Sequence, residues 1–230
     1  MVDADVLEGL RGLDTPTVCN ALEIVAPERR ATGFSVLPFV CRDLSAPPLV
    51  GYARTATIRA RERSGRTPTD DLKERVGYYR HIAEGPGPTI TVIEDLDSIP
   101  GYGAWWGEVN SNLHKGLGSL GVITNGSIRD IDDWADDFGA LAGSVNPSHA
   151  WVHLVDYAVP VNVHGMDVSP GDLIHADRHG AVVIPDDAAA QIADAAAKIA
   201  AREAVLIQAS QHADFDIDAL VKLLDPRGDH

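Results

Sequence analysis

Cysteine is scarce in this chain, with two residues, Cys19 and Cys41, in 230. They have neither metal-ligand spacing nor a framework of partners, which argues against a disulfide scaffold and fits a reducing cytoplasm. Aromatic residues make up 6% of the chain, too few for a platform on which single-stranded bases stack. Positive charge is also short: 19 Lys and Arg stand against 34 Asp and Glu, a formal charge of −15. Such a surface repels phosphate backbones and anionic lipid heads, so neither a nucleic acid nor a membrane is an expected partner. No run approaches the roughly 18 apolar residues of a membrane span. The acidic start, Met1 to Asp5, has no basic region followed by an apolar run, so no signal peptide is expected. Neither G-x-x-x-x-G-K-[ST] nor G-x-S-x-G occurs, which removes the main signals of phosphate-loop NTPases and of α/β serine hydrolases.

What remains is a chain that can fold. Its hydrophobic fraction of 45% excludes disorder, and its length suits a single domain over 1–230. Helical patterns cover about 3–26 and 69–82, with Asp14-Thr15-Pro16 as a capping signal inside the first. Strand patterns cover about 50–59, 88–94 and 120–124. A helix is expected over about 105–115, and a short one over about 129–136. Three closely spaced strands are expected near 158–164, 173–176 and 181–184, then C-terminal helices over about 186–224. Mixed elements of this kind make an α/β domain, and the late run of strands argues against a plain doubly wound sheet.

Two local signals fall short of a function. Gly101-Tyr-Gly103-Ala-Trp-Trp106 has two glycines of a dinucleotide fingerprint, but Trp106 blocks the third position, where backbone must approach a pyrophosphate. His175-x-x-x-His179 has half of a zinc spacing, yet it straddles an expected turn with no cysteine nearby. Turn or partly buried polar roles suit His149, His153, His164, His175 and His179 better, although these rings remain candidates for lining a pocket.

The more informative stretch runs from Glu108 to Asp130. The strand ending at Thr124 is followed by Asn125-Gly126, a turn signal, and then by helical spacing from Ser127. A strand–turn–helix junction is where α/β folds place ligands. There Arg129 offers a planar fork to a carboxylate, and Asp130 offers oxygen to a hard cation. An ordinary Arg–Asp surface pair at a helix cap accounts for the same residue types equally well.

This stretch resembles the RraA-like family, which includes the regulator of ribonuclease activity A and metal-dependent 4-hydroxy-4-methyl-2-oxoglutarate aldolases. The family carries an acidic residue, twenty spacer residues and Arg-Asp; here Glu108, the segment Val109 to Ile128, and Arg129-Asp130 match. The run from Pro170 to Pro185 is similar to its second signature, and Leu13 to Leu22 to its first helix. The resemblance covers roughly residues 10–210. It implies a swivelling β/β/α domain assembled as a trimer or hexamer. For the aldolase members it implies Mg²⁺ or Mn²⁺ and cleavage of a 4-hydroxy-2-oxo acid to pyruvate and a second oxo acid, with oxaloacetate decarboxylation as a companion activity. The alternative it implies is a non-catalytic regulator that binds a protein. Carried onto this sequence, Asp130 is the direct metal ligand, Arg129 binds and stabilises the anionic substrate, and Glu108 acts through water. The backbone around Gly107, Glu108, Val109 and Asn110 holds a substrate carboxylate, and Glu203 of a neighbouring subunit is a candidate further ligand. Glu108 stands where characterised aldolases commonly carry Asp, and Asn125 where many members carry Asp.

Overall fold

The computed structural model describes residues 2–224. The chain begins with helices α1 (Ala4–Arg11) and α2 (Thr15–Val25), followed by strands β1 (Val40–Cys41) and β2 (Leu49–Arg59). Helix α3 (Pro68–Ala83), β3 (Thr89–Asp95), β4 (Ala104–Trp106), α4 (Glu108–Gly116), β5 (Ser119–Ile128) and β6 (Gly139–Val145) form the middle of the chain. Then come β7 (His153–Tyr157), β8 (Val161–Val163), β9 (Met166–Val168), β10 (Leu173–Asp177) and β11 (Gly180–Ile184). Helices α5 (Ile192–Ser210) and α6 (Ile217–Leu224) close it.

Nine strands make one sheet in the order β1-β6-β5-β3-β2-β10-β11, with β4 added on β5 and β7 on β2. Its centre, β2, β3, β5 and β6, is parallel. The strand β2 is buried at nearly every position, as a parallel strand covered on both faces must be. It has two antiparallel partners along one edge, β10 beside Leu49–Tyr52 and β7 beside Ala56–Arg59. Helices α1, α2 and α5 bury Leu10, Val18, Leu22 and Ile192 against Val50, Leu173 and Ile184. A second cluster joins Tyr78 and Ile82 of α3 to Trp106, Ile128, Trp134 and Phe138. A third packs the β8–β9 hairpin residues Val161, Val163 and Met166 on Ile90, Val92 and Ile123. Among the described residues, no helix is long and apolar enough to cross a membrane.

Several local expectations need correction. The single helix expected over 3–26 is two: the Gly12 and Leu13 amides close α1 onto the carbonyls of Gly9 and Leu10, and Asp14 caps α2 by accepting from Thr17 N–H at 2.9 Å. The helix expected from Trp105 starts at Glu108, because Trp105 and Trp106 pair as a strand. Asn125-Gly126 is no turn. The strand β5 runs through it to Ile128 with a register shift against β6 between Thr124 and Ser127. An irregularity in the strand absorbs the conformational signal that would otherwise reverse the chain. Gly143 makes room for it, since a Cβ there would lie 2.2 Å from the Asn125 carbonyl oxygen. The helix expected over 129–136 shrinks to a 3₁₀ turn, Ile131–Asp133. The strand β6 went unexpected because Gly139-Ala-Leu-Ala-Gly-Ser has almost no β-branched residues; its parallel neighbour β5 and antiparallel neighbour β1 hold it in place.

Ile123 lies fully buried at the centre of β5. Ile123→Ala is expected to cost about 2–5 kcal/mol, read as a lower urea midpoint at unchanged slope. A cost below about 0.5 kcal/mol would contradict the burial.

Candidate active site

The strands β4 and β5 are parallel neighbours, Ala104 opposite Ser127 and Trp106 opposite Ile128. Parallel strands need a long crossover, and α4 with β5 supplies it. The twenty residues between Glu108 and Arg129 are therefore one circuit, up α4 and back along β5. The Arg129 amide donates to the Trp106 carbonyl at 2.9 Å, so the two chain segments leave the sheet side by side. Gly107-Glu108 begins a helix on one side, and Arg129-Asp130 turns away on the other.

Asp130 has a left-handed backbone, φ 51° and ψ 43°, which Asp tolerates better than most residues. This corner points its carboxylate back at the start of α4. Its Oδ2 lies 3.4 Å from the Glu108 amide, a long contact with the positive end of the helix. The Arg129 Nε lies 3.3 Å from the same oxygen, within ion-pair reach but without hydrogen-bond alignment, so Nε has no bonded partner of its own. The Arg129 carbonyl is clamped by the Trp134 indole N–H at 2.6 Å. Both side chains stay about one-third exposed and open to a ligand. Gly107 is required by space, because a Cβ there would come within 2.5 Å of Asp130 Oδ2 and 3.2 Å of Arg129 Cγ.

Glu108 is exposed, and Val109 beside it is 69% exposed. The amides of Val109 and Asn110 precede the first intrahelical bond, from Ser111 N–H to the Gly107 carbonyl, and so face outward as donors. The Asn110 side chain is turned to structural use: it donates to the Trp105 carbonyl at 2.6 Å and accepts from Tyr79 at 3.2 Å. Glu203 is exposed on α5, which packs on α1 and α2, and the fold does not bring it to Asp130 within one chain. Asn125 gains an explanation. Its side chain accepts from the Asp95 amide at 2.7 Å and donates to the Asp95 carbonyl at 3.1 Å, a pairing that a carboxylate could only half supply.

The histidines mostly serve the fold. His175 is fully buried, with Nδ1 3.0 Å from the Thr15 hydroxyl and Nε2 3.1 Å from the carbonyls of Leu10 and Leu13. His179 pairs with Asp177 at 3.1 Å, and His164 stacks on Phe39. His153 lines a neighbouring cleft that reaches Asn110 but contains none of Glu108, Arg129 and Asp130.

Two supporting residues carried no sequence signal, because 36 positions separate them. His114 of α4 stands within 2.6 Å of the Asn110 carbonyl through Nδ1 and within 2.6 Å of the Tyr78 hydroxyl through Nε2. A carbonyl only accepts, so Nδ1 carries the proton and Nε2 accepts from Tyr78. This ties α4 to α3 beneath the site. Burial lowers the His114 pKa to about 4, partly opposed by the Asn110 carbonyl, and burial likewise raises the Tyr78 pKa.

A divalent cation can be tested against these donors. Among the described residues no three His, Cys, Asp or Glu side chains cluster as ligands, which does not suit a closed zinc-type cage. Asp130 and the exposed Glu108 carry carboxylates on the two neighbouring segments, with the Glu108 amide 3.4 Å from Asp130 Oδ2. Mg²⁺ and Mn²⁺ fit that set, since such hard ions bind through one or two carboxylates and complete their shell with water and substrate.

A family model described as RraA-like, Aldolase/RraA, matches residues 15–183. An uncharacterized protein of Methanocaldococcus jannaschii is 34% identical over 102 residues, 44% of this chain and 49% of that one. A Burkholderia mallei protein provisionally named as a 4-hydroxy-4-methyl-2-oxoglutarate aldolase is 37% identical over 73 residues, 31% of this chain and 44% of that one. The chain thus spans about half, or less, of the length of these curated relatives. A solved structure described as one of novel cellulases from microbes of the gut ecosystem superposes with a TM-score of 0.72 at 17% identity, covering 88% of this chain and 87% of that one. Streptomyces coelicolor RraAS2, described as an unusual member of the RNase ES inhibitor RraA protein family, superposes with a TM-score of 0.69 at 20% identity, covering 90% and 99%. At these identities the likeness is one of fold, and it is the fold expected from the resemblance.

The buried neutral His114 sets a pH dependence. An unfolded imidazole takes up a proton below about 6.5, whereas the folded one resists until about 4. Its contribution to stability is full above pH 6.5 and is lost as pH falls toward 4, by about 3 kcal/mol. Urea denaturation at pH 7 and pH 4 is expected to show a drop smaller by that amount in His114→Gln. Equal drops in the two proteins would contradict it.

Proposed function

The chain belongs to the RraA-like family, and from that premise we propose that it is a divalent-metal-dependent lyase acting on 2-oxo acids. The reaction is cleavage of a 4-hydroxy-2-oxo acid, of the 4-hydroxy-4-methyl-2-oxoglutarate type, to pyruvate and a second oxo acid. Oxaloacetate decarboxylation is the companion activity, because both reactions leave an electron pair on the same three-carbon fragment. One observation carries this reading: the β4–α4 junction and the exit of β5 converge, bringing Asp130 and Arg129 beside the first amide of α4.

Asp130 and Glu108 would hold the cation, Asp130 directly and Glu108 through water. The bound Mg²⁺ or Mn²⁺ supplies Lewis-acid stabilisation of the negative charge that develops on the 2-oxo fragment. The Arg129 guanidinium, on a backbone held by the Trp134 indole, would bind the substrate carboxylate or oxo oxygen and offset the same charge. The free amides of Val109 and Asn110 orient a second anionic oxygen. Glu108, exposed beside them, takes the hydroxyl proton through a positioned water. Glu203 joins only if a second copy of the chain presents it. The exposed Val205 and Ile207 on the same helix suit that contact, within a trimer or hexamer. The unpaired Cys19, its thiol pKa raised by burial to about 11, suits a cytoplasmic protein.

A protein-binding regulator is the competing reading, and it gives no reason for these groups to converge. Pyruvate formation from 4-hydroxy-4-methyl-2-oxoglutarate and from oxaloacetate separates the two. We expect activity that needs Mg²⁺ or Mn²⁺ and disappears with chelator and in Asp130→Ala. Arg129→Ala should lower kcat/KM by about 100-fold or more at an unchanged thermal transition. Absence of metal-dependent pyruvate from both substrates, or full activity in Asp130→Ala, would overturn the proposal. Gly107→Ala should lower activity without unfolding the chain, because its φ of −169° suits any residue and the clash falls on Asp130.

A further inference from the structure

A cleft of about 780 Å³ lies between the start of α3, the segment 149–154 and the first turn of α4. Three arginines line it, Arg63, Arg66 and Arg75, against one carboxylate, Asp71. That balance is the reverse of the chain as a whole, where acids outnumber bases 34 to 19. The three arginines are used differently. Arg66 is built into the wall: it donates to the carbonyls of Leu154 at 2.6 Å and Val155 at 2.9 Å, with Asp71 at 3.8 Å.

Arg63 is oriented but not neutralised. Its guanidinium carbon lies 4.1 Å from the centroid of the Trp151 ring, a stacking contact that fixes the plane and leaves the N–H fork free. Arg75 is exposed on α3, and among the described residues neither Arg63 nor Arg75 has a carboxylate within ion-pair distance. Two unpaired guanidinium groups facing one cleft repel each other, and an anion between them removes that repulsion. His149 and His153 add fixed polar walls. Their Nδ1 atoms lie 3.1 Å and 2.9 Å from the carbonyl oxygens of Ala104 and Trp151, so each Nδ1–H donates there and each Nε2 stays unbound.

We propose that this cleft is a binding site for a small oxyanion carrying at least two negative charges, gripped by Arg63 and Arg75 with Arg66 as its rigid wall. Three guanidinium groups less one carboxylate leave about two positive charges to match. The volume is that of a small-molecule site, and the acidic surface beyond it turns away long polyanions. A polycarboxylate and a phosphate ester or pyrophosphate share this chemistry, since the guanidinium fork fits both. The cleft adjoins the proposed reaction centre at Asn110, but none of Glu108, Arg129 and Asp130 lines it, and the arginines that grip the anion have no part in the proposed reaction. The inference therefore stands whether or not the lyase reading holds.

Isothermal titration of the full chain at low ionic strength, without added metal, tests it with tricarballylate, pyrophosphate and acetate. One multivalent anion is expected to bind per chain, at least about tenfold more tightly than acetate. Arg75→Ser and Arg63→Ser should each weaken it about tenfold or more, while Arg129→Ala leaves it unchanged. Both arginines are exposed, and an unchanged thermal transition confirms that the variants fold. The stronger of tricarballylate and pyrophosphate assigns the site to carboxylates or to phosphates. Binding no tighter than acetate, or binding lost in Arg129→Ala and retained in both arginine variants of the cleft, would overturn the proposal.

Discussion

The pairing of β4 with β5 is the contact on which the site depends. Three residues of strand, Ala104 to Trp106, lie parallel to the end of a long central strand, and the Arg129 amide closes the pair onto the Trp106 carbonyl. The candidate residues Glu108, Arg129 and Asp130 all lie within two residues of that hydrogen bond. On one side the chain becomes a helix whose Val109 and Asn110 amides precede its first internal bond; on the other it turns through a left-handed aspartate. Trp106 anchors the pair from beneath, buried against Phe138 and the His114 ring. The Tyr78–His114–Asn110 chain then fixes the helix itself. The buried part of the molecule thus ends where the partly exposed side chains of Arg129 and Asp130 begin, an arrangement that can preorganise a site without burying it.

Charge is organised at two scales. The surface as a whole is acidic and repels the anions that the proposed reaction handles. Attraction must be local, and the structure concentrates it in two places. One is the opening at Arg129, where a cation held by Asp130 and Glu108 would add to a helix terminus. The other is the arginine cleft, where three guanidinium groups meet one carboxylate. An acidic exterior with basic recesses admits small acids and turns away long polyanions.

Much of this was legible in the sequence, for identifiable reasons. The spacing from Glu108 to Arg129 survives as a signal because it is the length of one α4–β5 circuit, which the sheet cannot change without unpairing β4. The alternation over Val50 to Arg59 marks a strand and β2 occupies it, although burial on both faces also takes in the polar Arg54, Thr55 and Thr57. Asn125-Gly126 misled because local turn chemistry was satisfied by a register shift inside the strand, with Gly143 yielding space and Asp95 taking both polar ends of Asn125. The break at Gly12 was hidden by helical spacing on either side. The Tyr78–His114 pair and the meeting of Arg63 with Arg75 depend on tertiary contact, and nothing in a one-dimensional pattern announces them. Glu203 shows the complementary limit: its position on α5 was legible, but the role proposed for it would need a second copy of the chain.

The central claim is that Asp130, presented to the start of α4, holds a divalent cation. Water-proton relaxation during Mn²⁺ titration tests it without reference to turnover. The expected result is one site per chain that disappears in Asp130→Ala and persists in Arg75→Ser. Unchanged Mn²⁺ binding in Asp130→Ala, in a protein shown to be folded, would contradict the account.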